Sequence, residues 1–492
     1  MNTLATITSE LAGLPDIGRI AEALVGAAAR LRVAPLPSAA RAPLVAALAR
    51  HVRAPLLYVA INAEAALRAA DDLRQWLGPA AVLLYPASDS MPYEHMSPGD
   101  EVIARRLRVL QMVNAEGVMV NEADPATNHS AFRIPHSALI IVTSVKALLQ
   151  PTLTPEELAD ASMALCLGQE LRQDELLRTL IGRGYRPAPA VETPGELSRR
   201  GGIVDVWPSA DERPLRIEFF GDEIDSLRRF DPATQRSDQR SAAAVIGPPH
   251  EIPLWNRALA LTRIAAMDRS GLRRESRTEW DAALARLELG ERFEGRAFYA
   301  PFFREGRARD GALIPETLLA HLPPGSAVLL SEGHMLAHHA AEIAEHAEAQ
   351  RLKLIDQGEL PPNFPRPYLT WAELQMADVG LQTAPRFSVV DLSNNEFEQA
   401  ASDPSAICHL PSAIFTPAEL FGGQFRRLVA DIVARLRAGE RVVAVTSQAP
   451  RLQELVEERM KDEGGRMKES DVIPHPSSLI PHPSSLIPHP SS

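Results

Sequence analysis

The segment RGGIVDVWPSADERPLRIEFFGDEIDSLRRFD, residues 200–231, decides how the middle of this chain folds. It contains two short β-rich runs, IVDVW and LRIEFF, with Pro, Asp and Gly residues between them and after the second. Such residues between apolar runs predict hairpins of antiparallel strands. Together with the preceding helix-like stretch QELRQDELLRTLIGRGY, the segment predicts an α+β domain over residues 150–236. This domain interrupts an alternation of strands and helices elsewhere in the chain.

The run LRIEFF divides into two sets of side chains, because successive residues of a strand point to opposite faces. The apolar set, which suits packing against the domain, is Leu215, Ile217 and Phe219. The other set is Arg216, Glu218 and Phe220. An arginine, an acid and an aromatic ring on one face are typical of a binding hot spot. The same charges also suit a solvated sheet face, where a surface ion pair contributes only about 0–1 kcal/mol.

The region upstream alternates short apolar runs with amphipathic stretches. Residues 17–32 and 43–52 predict helices. The runs APLLYVAIN (54–62), AAVLLYPA (80–87) and ALIIVTSVKALL (138–149) predict buried strands, the last of them continuing into a helix. Short apolar strands between helices are the pattern of a parallel α/β sheet. Residues 1–149 are therefore expected to form the first part of such a domain.

The region downstream is expected to complete this sheet and then to begin another. Residues 237–350 read as mostly helical with one strand, and predict the second part of the first α/β domain. Residues 351–460, which include a helix–strand–helix pattern at 427–460, predict an incomplete third α/β domain. Residues 461–492 repeat IPHPSSL every seven residues and predict a low-complexity, disordered tail. An IPHS echo within residues 121–138 suggests inserted repeats, and the tail is expected to mark an interrupted reading frame.

Composition excludes several classes of protein. The chain has 492 residues, a net charge of −12 and two cysteines, Cys166 and Cys408, far apart and without CxxC spacing. A disulfide framework and a cysteine-based zinc site are excluded, which suits a reducing cytoplasm. The acidic balance does not favour tight non-specific DNA binding. We see no membrane span and no signal peptide, and expect a cytoplasmic monomer.

The place where a nucleotide would bind lacks the residues that hold phosphate. A P-loop reads GxxxxGK[ST] between a strand and its helix. The corresponding stretch, RVAPLPSAARAPLVAALA (32–49), has no glycine and no lysine, and Pro35 and Pro37 remove backbone donors. Arg41 supplies charge but does not restore the cradle of backbone N–H groups. We expect a structural turn here, with no bound cofactor.

No other motif in the chain predicts catalysis or a metal site. The strand-like run AVLLSEGHM (327–335) offers Glu332 where a nucleotide motor has two adjacent acids. The spacing of His334 and His338 suits zinc, but neither HExxH nor a third ligand accompanies it, and we expect solvated helix residues. The regularly spaced tail histidines could bind cations, although the composition favours a plain low-complexity segment. We therefore expect a binding protein, not an enzyme.

Two stretches are specific enough to indicate a family. YPASDSMPYEHMSPGDEVIARRLRVL (85–110) resembles the first domain of the bacterial transcription-repair coupling factors, the Mfd family. Residues 183–237 are similar both to those factors and to UvrB, over the UvrB domain that docks on UvrA. GELPPNFPRPYLTWAEL (358–374) and TSQAPRLQELVEE (446–458) resemble the coupling factors only. The resemblance covers about residues 1–460.

The resemblance implies a fold and a set of partners. The fold is UvrB-like: a degenerate P-loop-type α/β domain with an inserted α+β UvrA-binding domain. The implied role is that of a non-catalytic UvrA-binding adaptor in nucleotide excision repair. In the full-length family, RNA polymerase and double-stranded DNA are further partners, and ATP serves the motor domains, which are not recognised here. The UvrA-binding residues that the resemblance implies are Arg186, Arg200, Arg216, Glu218 and Phe220. Loss of Arg216, Glu218 and Phe220 is expected to abolish UvrA binding without unfolding the domain.

Two other interpretations stay open. One is an ATP-dependent helicase-like or translocase-like enzyme, against which the missing P-loop counts. The other is a non-functional truncated gene product, for which the apolar run VVAVTS (442–447) predicts local instability, because a strand without neighbours is prone to aggregate.

Overall fold

The structure is a computed structural model, and it describes residues 3–25, 30–33, 36–114, 139–291, 293–309, 312–378, 387–392, 421, 423–440, 442 and 449–462. The expectations for residues 121–138, for Cys408, for most of VVAVTS and for the histidine-containing tail lie outside these residues. The chain divides into two compact units, one of residues 8–411 and one of residues 1–7 with 412–492. Each unit is described by itself.

The first α/β region consists of helices and strands, and the insertion consists mainly of strands. Up to residue 161 they are α1 (Thr3–Ala12), α2 (Pro15–Val25), β1 (Arg30–Arg32), α3 (Ser38–Leu48), β2 (Leu56–Ala60), α4 (Ala63–Leu77), β3 (Val82–Tyr85), α5 (Asp100–Asn114), β4 (Ile140–Ser144), α6 (Val145–Leu149) and α7 (Pro155–Ala161). The insertion contains β5 (Met163–Cys166), α8 (Gln173–Gly182), β6 (Arg186–Pro187), β7 (Glu196–Arg200), β8 (Ile203–Val206), β9 (Leu215–Phe220), β10 (Glu223–Phe230), β11 (Ser237–Ser241) and β12 (Ala243–Ile246).

The remaining elements return to the first sheet and then enter the second unit. They are α9 (Arg257–Ala265), α10 (Arg274–Leu289), α11 (Ala300–Phe303), β13 (Gly306–Arg309), β14 (Ala312–Pro315), β15 (Ala327–Leu330), α12 (Gly333–Asp356), α13 (Trp371–Asp378), β16 (Ser388–Asp391), α14 (Phe425–Arg437) and α15 (Ala449–Asp462). In the second unit, α14 and α15 pack through a small apolar cluster that includes Val429, Val433 and Val456. No helix among the described residues is both long and apolar enough to span a bilayer.

The main sheet is six-stranded and parallel, in the order β1-β16-β15-β2-β4-β3. Every residue of β2 and β4 is buried, as expected for parallel strands with both faces covered. Capping residues start the helices that come after these strands: Asn62 accepts a hydrogen bond from the Ala65 backbone N–H at 2.8 Å, and Ser144 accepts one from that of Ala147 at 3.3 Å. The predicted α/β class with an inserted α+β domain is confirmed.

Two details of the prediction differ from the structure. Residues 30–32 form strand β1, whereas the sequence pattern predicted a helix from residue 17 through residue 32; α2 ends at Val25. β16 pairs with β1 and β15 in the main sheet, although residues 351–460 were expected to form a separate domain. In both cases three or four residues form the strand, and so short a run has too little periodicity to be told from a helix.

The inserted domain is built around a second six-stranded sheet, in the order β11-β10-β9-β8-β7-β6. Its inner face packs on α8 through a buried cluster that includes Leu176, Leu180, Val204, Ile217 and Leu227. β11 starts at residue 237, so the expected end of the domain at residue 236 falls before the last strand of this sheet. β12 pairs with β5 in a separate two-stranded sheet. The strands of the insertion therefore run from residue 163 to residue 246.

A helical subdomain comes after the insertion and has a core of its own. Its buried side chains come from α9, α10 and residues 298–303, joined by Leu360 and Phe364. Among the described residues, seven aromatic rings of this core make edge-to-face contacts: Tyr93, Trp280, Phe293, Phe298, Tyr299, Phe302 and Phe364. Aromatic pairs of this kind contribute about 0.5–1.5 kcal/mol each beyond the area that they bury.

Candidate functional site

The outer face of the inserted sheet, opposite α8, carries all five residues that the sequence singled out. In β9, Leu215 and Ile217 are fully buried in the domain core, so Arg216, Glu218 and Phe220 point outward. Strand register places Ile203 beside Glu218 and Asp205 beside Arg216, and extends the same face to Ser198 and Arg200 of β7. Arg186 of β6 lies beside Glu196 of β7. The five side chains thus share one surface, which we call the outer face.

Arg216 is held by the sheet itself. Its Nε and one terminal nitrogen donate to the two carboxylate oxygens of Asp205 at 2.8 and 2.9 Å, and its other terminal nitrogen donates to the Gln235 carbonyl at 3.2 Å. The guanidinium lies 4.5 Å from the ring centre of Phe230, close enough for a cation–π contact. Asp205 is buried, and only 16% of the Arg216 side chain is exposed. The pair is therefore mainly structural.

Glu218 and Phe220 lie farther along the same strand. The Glu218 carboxylate is 3.4 Å from the Arg228 guanidinium of β10, and both side chains are about 30% exposed. Phe220 is 82% exposed, the highest value among the large apolar residues that the structure describes. It ends β9, and Gly221 comes next in the left-handed region at φ 65°, where a side chain would be strained. The turn therefore presents an aromatic ring to solvent beside a partly exposed ion pair.

Arg186 forms an ion pair with Glu196 at the edge of the sheet. Burial of Glu196 opposes its ionisation, but three favourable interactions outweigh this and lower its pKa to about 2: hydrogen bonds from the backbone N–H groups of Glu192 and Thr193, each 2.9 Å, and the Arg186 guanidinium. Arg186 also donates to the Thr193 hydroxyl at 3.2 Å. Glu196 therefore stabilises the 192–196 turn and restrains the Arg186 side chain.

Arg200 and its neighbour Arg199 point in opposite directions. Arg200 lies on the outer face, is exposed, and donates one hydrogen bond to the Pro189 carbonyl at 3.2 Å. Arg199 points to the α8 side and pairs with Asp174 at 2.7 Å. Of the four charged residues predicted for the site, Arg200 has no carboxylate partner among the ion pairs of the described residues. Among the predicted residues it is the cation most available for a new ion pair.

The sequence pattern missed three residues that shape this surface: Asp205, Glu196 and Arg228. Asp205 was detectable, because it interrupts the apolar run IVDVW at an outward position. The roles of Glu196 and Arg228 depend on which strands are neighbours, and alternation within one strand does not indicate that.

The carboxyl edge of the main sheet, where nucleotides bind in related architectures, holds an internal ion pair. Arg41 of α3 donates to Glu332, which lies just after β15. Next to them the Asp391 carboxylate at the end of β16 accepts from the Gly333 backbone N–H at 2.8 Å. Arg41 and Glu332 are thus directed at each other, and Asp391 is directed at a backbone N–H group. The described residues contain no group of three or more His, Cys, Asp or Glu side chains arranged to hold a metal ion, and both His338 and His339 contact Glu342.

Comparison with known proteins identifies the insertion and its surroundings. The family model of the UvrB interaction domain matches residues 163–251. The transcription-repair-coupling factor of Bacillus subtilis is 27% identical over 340 residues, 67% of this chain and 26% of that protein. The corresponding factor of Myxococcus xanthus is 33% identical over 231 residues, 46% of this chain and 18% of that protein. The UvrABC system protein B of Mycobacterium tuberculosis is 27% identical over 433 residues, 81% of this chain and 56% of that protein.

These matches confirm the predicted resemblance to the N-terminal, UvrB-like region of the coupling factors and to UvrB itself. The matched region spans about a quarter or less of the length of the two coupling factors and just over half that of UvrB. The matched interaction domain coincides with the strands of the insertion, which run from residue 163 to residue 246.

Proposed function

We propose that the outer face binds UvrA and that this chain acts as a non-catalytic adaptor in nucleotide excision repair. The match of residues 163–251 to the UvrB interaction domain supports the assignment of the partner. The names of the relatives, transcription-repair-coupling factor and UvrABC system protein B, support the assignment to excision repair. In proteins of the coupling-factor type, this region would recruit repair to stalled RNA polymerase. Contacts with RNA polymerase and double-stranded DNA would fall to parts of those proteins outside the matched region.

The single observation that carries the proposal is the exposure of Phe220. A phenylalanine that is 82% exposed leaves most of its ring in water, and this is unfavourable by about 25 cal/mol for each Å² of apolar surface. Hot spots of protein interfaces are aromatic or arginine side chains that become buried on binding, within a ring of polar contacts. Phe220 would be that anchor, with Arg200 making a charge-assisted contact beside it.

The other three predicted residues would take supporting roles. Arg216 and Glu218 contribute the exposed parts of side chains that Asp205 and Arg228 already hold in place. Arg186 is restrained by Glu196 at the far edge of the same face. Because their conformations are fixed before binding, little side-chain entropy is lost when a partner docks. The outer face is in this sense preorganised.

We further propose that the main sheet binds no nucleotide. The Arg41–Glu332 ion pair occupies the carboxyl edge, and the stretch after β1 has neither the P-loop glycines nor the lysine. This supports the adaptor over the alternative of an ATP-dependent translocase. Turnover of ATP by the purified chain, abolished by Glu332→Gln, would favour that alternative.

Calorimetric titration of the full chain with UvrA from the same organism tests the adaptor proposal. Phe220→Ala is expected to weaken binding by about tenfold or more, the size of a hot-spot loss. Leu289→Ala is the matched control, since Leu289 is also a strongly exposed apolar residue, at 72%, but lies in α10 outside the insertion. The proposal fails if the folded wild-type chain does not bind UvrA, or if both variants bind equally well.

A further inference from the structure

A cleft lies at the junction of the inserted domain, the helical subdomain and the segment after β3. It shares Arg186 with the outer face but is lined by none of Arg200, Arg216, Glu218 and Phe220. It has a free volume of about 250 Å³. Small-molecule sites generally range from about 300 to 1,000 Å³, so the cleft suits a ligand of fragment size. Its walls combine aromatic rings, prolines and arginines, among them Tyr93, Phe298, Arg304 and Phe364.

Arg304 lines this cleft with a donor that has no acceptor. Its Nε is buried and makes no hydrogen bond within the described part of the chain. Burial lowers the pKa of Arg304, and Arg106 nearby lowers it further, whereas Glu251 and Glu157 act in the opposite direction. A buried donor left unpaired costs about 1–3 kcal/mol, and more when the group is charged. A ligand acceptor that reached this donor would offset the cost of its burial.

The two nearby carboxylates already have other donors. Glu251 accepts from the Nε of Arg106 at 2.7 Å and from the Thr152 hydroxyl at 2.6 Å. Glu157 accepts from the backbone N–H groups of Thr154 at 2.9 Å and Glu305 at 3.0 Å, and from the Asn256 side chain at 3.3 Å. Their acceptor capacity is directed elsewhere, which explains why the Nε of Arg304 has none.

Tyr93 also lines the cleft and carries a second unpaired polar atom on a strained backbone. The Tyr93 hydroxyl is buried without a hydrogen-bond partner among the described residues. Tyr93 also has φ 63°, a left-handed conformation that is unfavourable for a residue with a bulky side chain. Strain of this kind persists where the surroundings enforce it, and it is concentrated at ligand sites.

The contacts around Tyr93 hold it in this left-handed conformation. The Tyr93 ring packs edge-on against Phe364 at 5.9 Å between centroids, His95 stacks on Phe298 at 4.4 Å, and Gln350 donates to the Pro92 carbonyl at 3.2 Å. The segment is thus fixed to the helical subdomain, and the Tyr93 side chain is held in the cleft wall.

We propose that this cleft binds the oxyanion group of a small aromatic molecule. The Arg304 guanidinium would hold the oxyanion, the Tyr93 hydroxyl would donate a second hydrogen bond to it, and the rings of Phe298 and Phe364 would border the aromatic part. The planar guanidinium fork matches carboxylate and phosphate alike. The two possible sources of the oxyanion, a carboxylic acid and a phosphate ester, share this chemistry and are distinguished by the probe that binds.

The test is a titration of the full chain, monitored by ligand-observed NMR and by thermal unfolding, with phenyl phosphate, benzoate, inorganic phosphate and phenol. Phenyl phosphate or benzoate is expected to bind and to raise the unfolding temperature, and the tighter of the two identifies the oxyanion. Arg304→Met should weaken that binding by about tenfold or more, because the charge-assisted hydrogen bonds are lost. Arg274→Met, an exposed arginine of α10, is the control and should bind as the wild type does.

The variants also report on folding. Since Arg304→Met removes a buried donor that has no acceptor, its unfolding temperature without ligand should equal or exceed that of the wild type, so a loss of binding would not reflect unfolding. If Arg304→Met proves unstable, Tyr93→Phe replaces it and should weaken binding through the loss of one hydroxyl. The proposal is overturned if neither phenyl phosphate nor benzoate binds, if phenol binds as tightly as either, if inorganic phosphate binds as tightly as phenyl phosphate, or if binding survives Arg304→Met.

Discussion

The main sheet and the inserted sheet both place an arginine against a carboxylate from a different element, yet they leave different surfaces for a partner. In the parallel main sheet, β2 and β4 are buried on both faces, so polar chemistry is confined to the carboxyl edge, where Arg41 pairs with Glu332. In the antiparallel part of the inserted sheet, the Arg216–Asp205 pair lies within an open face that also presents Phe220 and Arg200.

This difference underlies the different functions that we propose for the two regions. When an ion pair fills the carboxyl edge of a parallel sheet, little else remains there to hold phosphate, because the strand faces are covered. An antiparallel sheet with one open face has room both for ion pairs that fix its geometry and for an exposed ring that a protein partner can bury. The proposed adaptor role rests on the second arrangement.

The largest expected effect concerns the Arg216–Asp205 pair. Arg216→Ala leaves Asp205 buried without its partner and should reduce the stability of the inserted domain by about 3 kcal/mol. Hydrogen exchange of the β8 and β9 amides measures this directly. Arg200→Ala on the same face should change it by less than about 0.5 kcal/mol, because Arg200 is exposed. Equal effects of the two substitutions would mean that the pair is not structural.

This prediction changes the expectation drawn from the sequence for UvrA binding. Loss of the predicted residues was expected to abolish binding and leave the domain folded, but the contacts of Arg216 make it a poor choice for that purpose. Phe220→Ala and Arg200→Ala remove exposed groups and separate binding from folding.

The next effect is a dependence of stability on pH. Folding lowers the pKa of Glu196 from 4.5 to about 2, so the ionised group stabilises the domain above pH 4.5. This contribution, on the order of 1–3 kcal/mol, should be lost progressively as the pH falls from 4.5 towards 2. Urea unfolding at pH 5 and pH 3, monitored by exchange in β7, is the measurement. Glu196→Gln should be less stable than the wild type at pH 5 and should lose less on acidification; parallel profiles would contradict the assignment.

Much of this arrangement was predictable from the sequence, and the part that was not has a physical reason. Alternation in LRIEFF correctly separated Leu215 and Ile217 from Arg216 and Phe220, because strand periodicity is local. The partners Asp205, Glu196 and Arg228 depend on register between strands, which a turn or a bulge changes by one residue. Strand β16 was missed because four residues pair with strands more than 50 residues away along the chain.

The cleft lined by Tyr93 shows the same limit of prediction from the sequence. The segment 85–110 was recognised as a family signature, but the isolated donor of Arg304 arises only when residues from three parts of the chain meet. Glu251 pairs with Arg106, and Glu157 caps α7. No spacing in the sequence indicates that either carboxylate lies near Arg304.

The smallest expected effect concerns the Arg41–Glu332 pair of the main sheet. The Arg41 side chain is 14% exposed and that of Glu332 is 29% exposed. Arg41→Ala should therefore reduce the stability of the unit by only about 1 kcal/mol. The control, Arg50→Ala, removes an exposed arginine just beyond α3 and should have a smaller effect. Because a freed Glu332 adds negative charge at this edge, ATP with magnesium should leave the unfolding temperature of wild type and variant unchanged. Arg41→Lys should likewise gain no ATP binding, since it restores a charge but not the glycines and backbone donors of a P-loop. Stabilisation of any of the three proteins by ATP would place a nucleotide at this edge and remove the functional distinction between the two sheets.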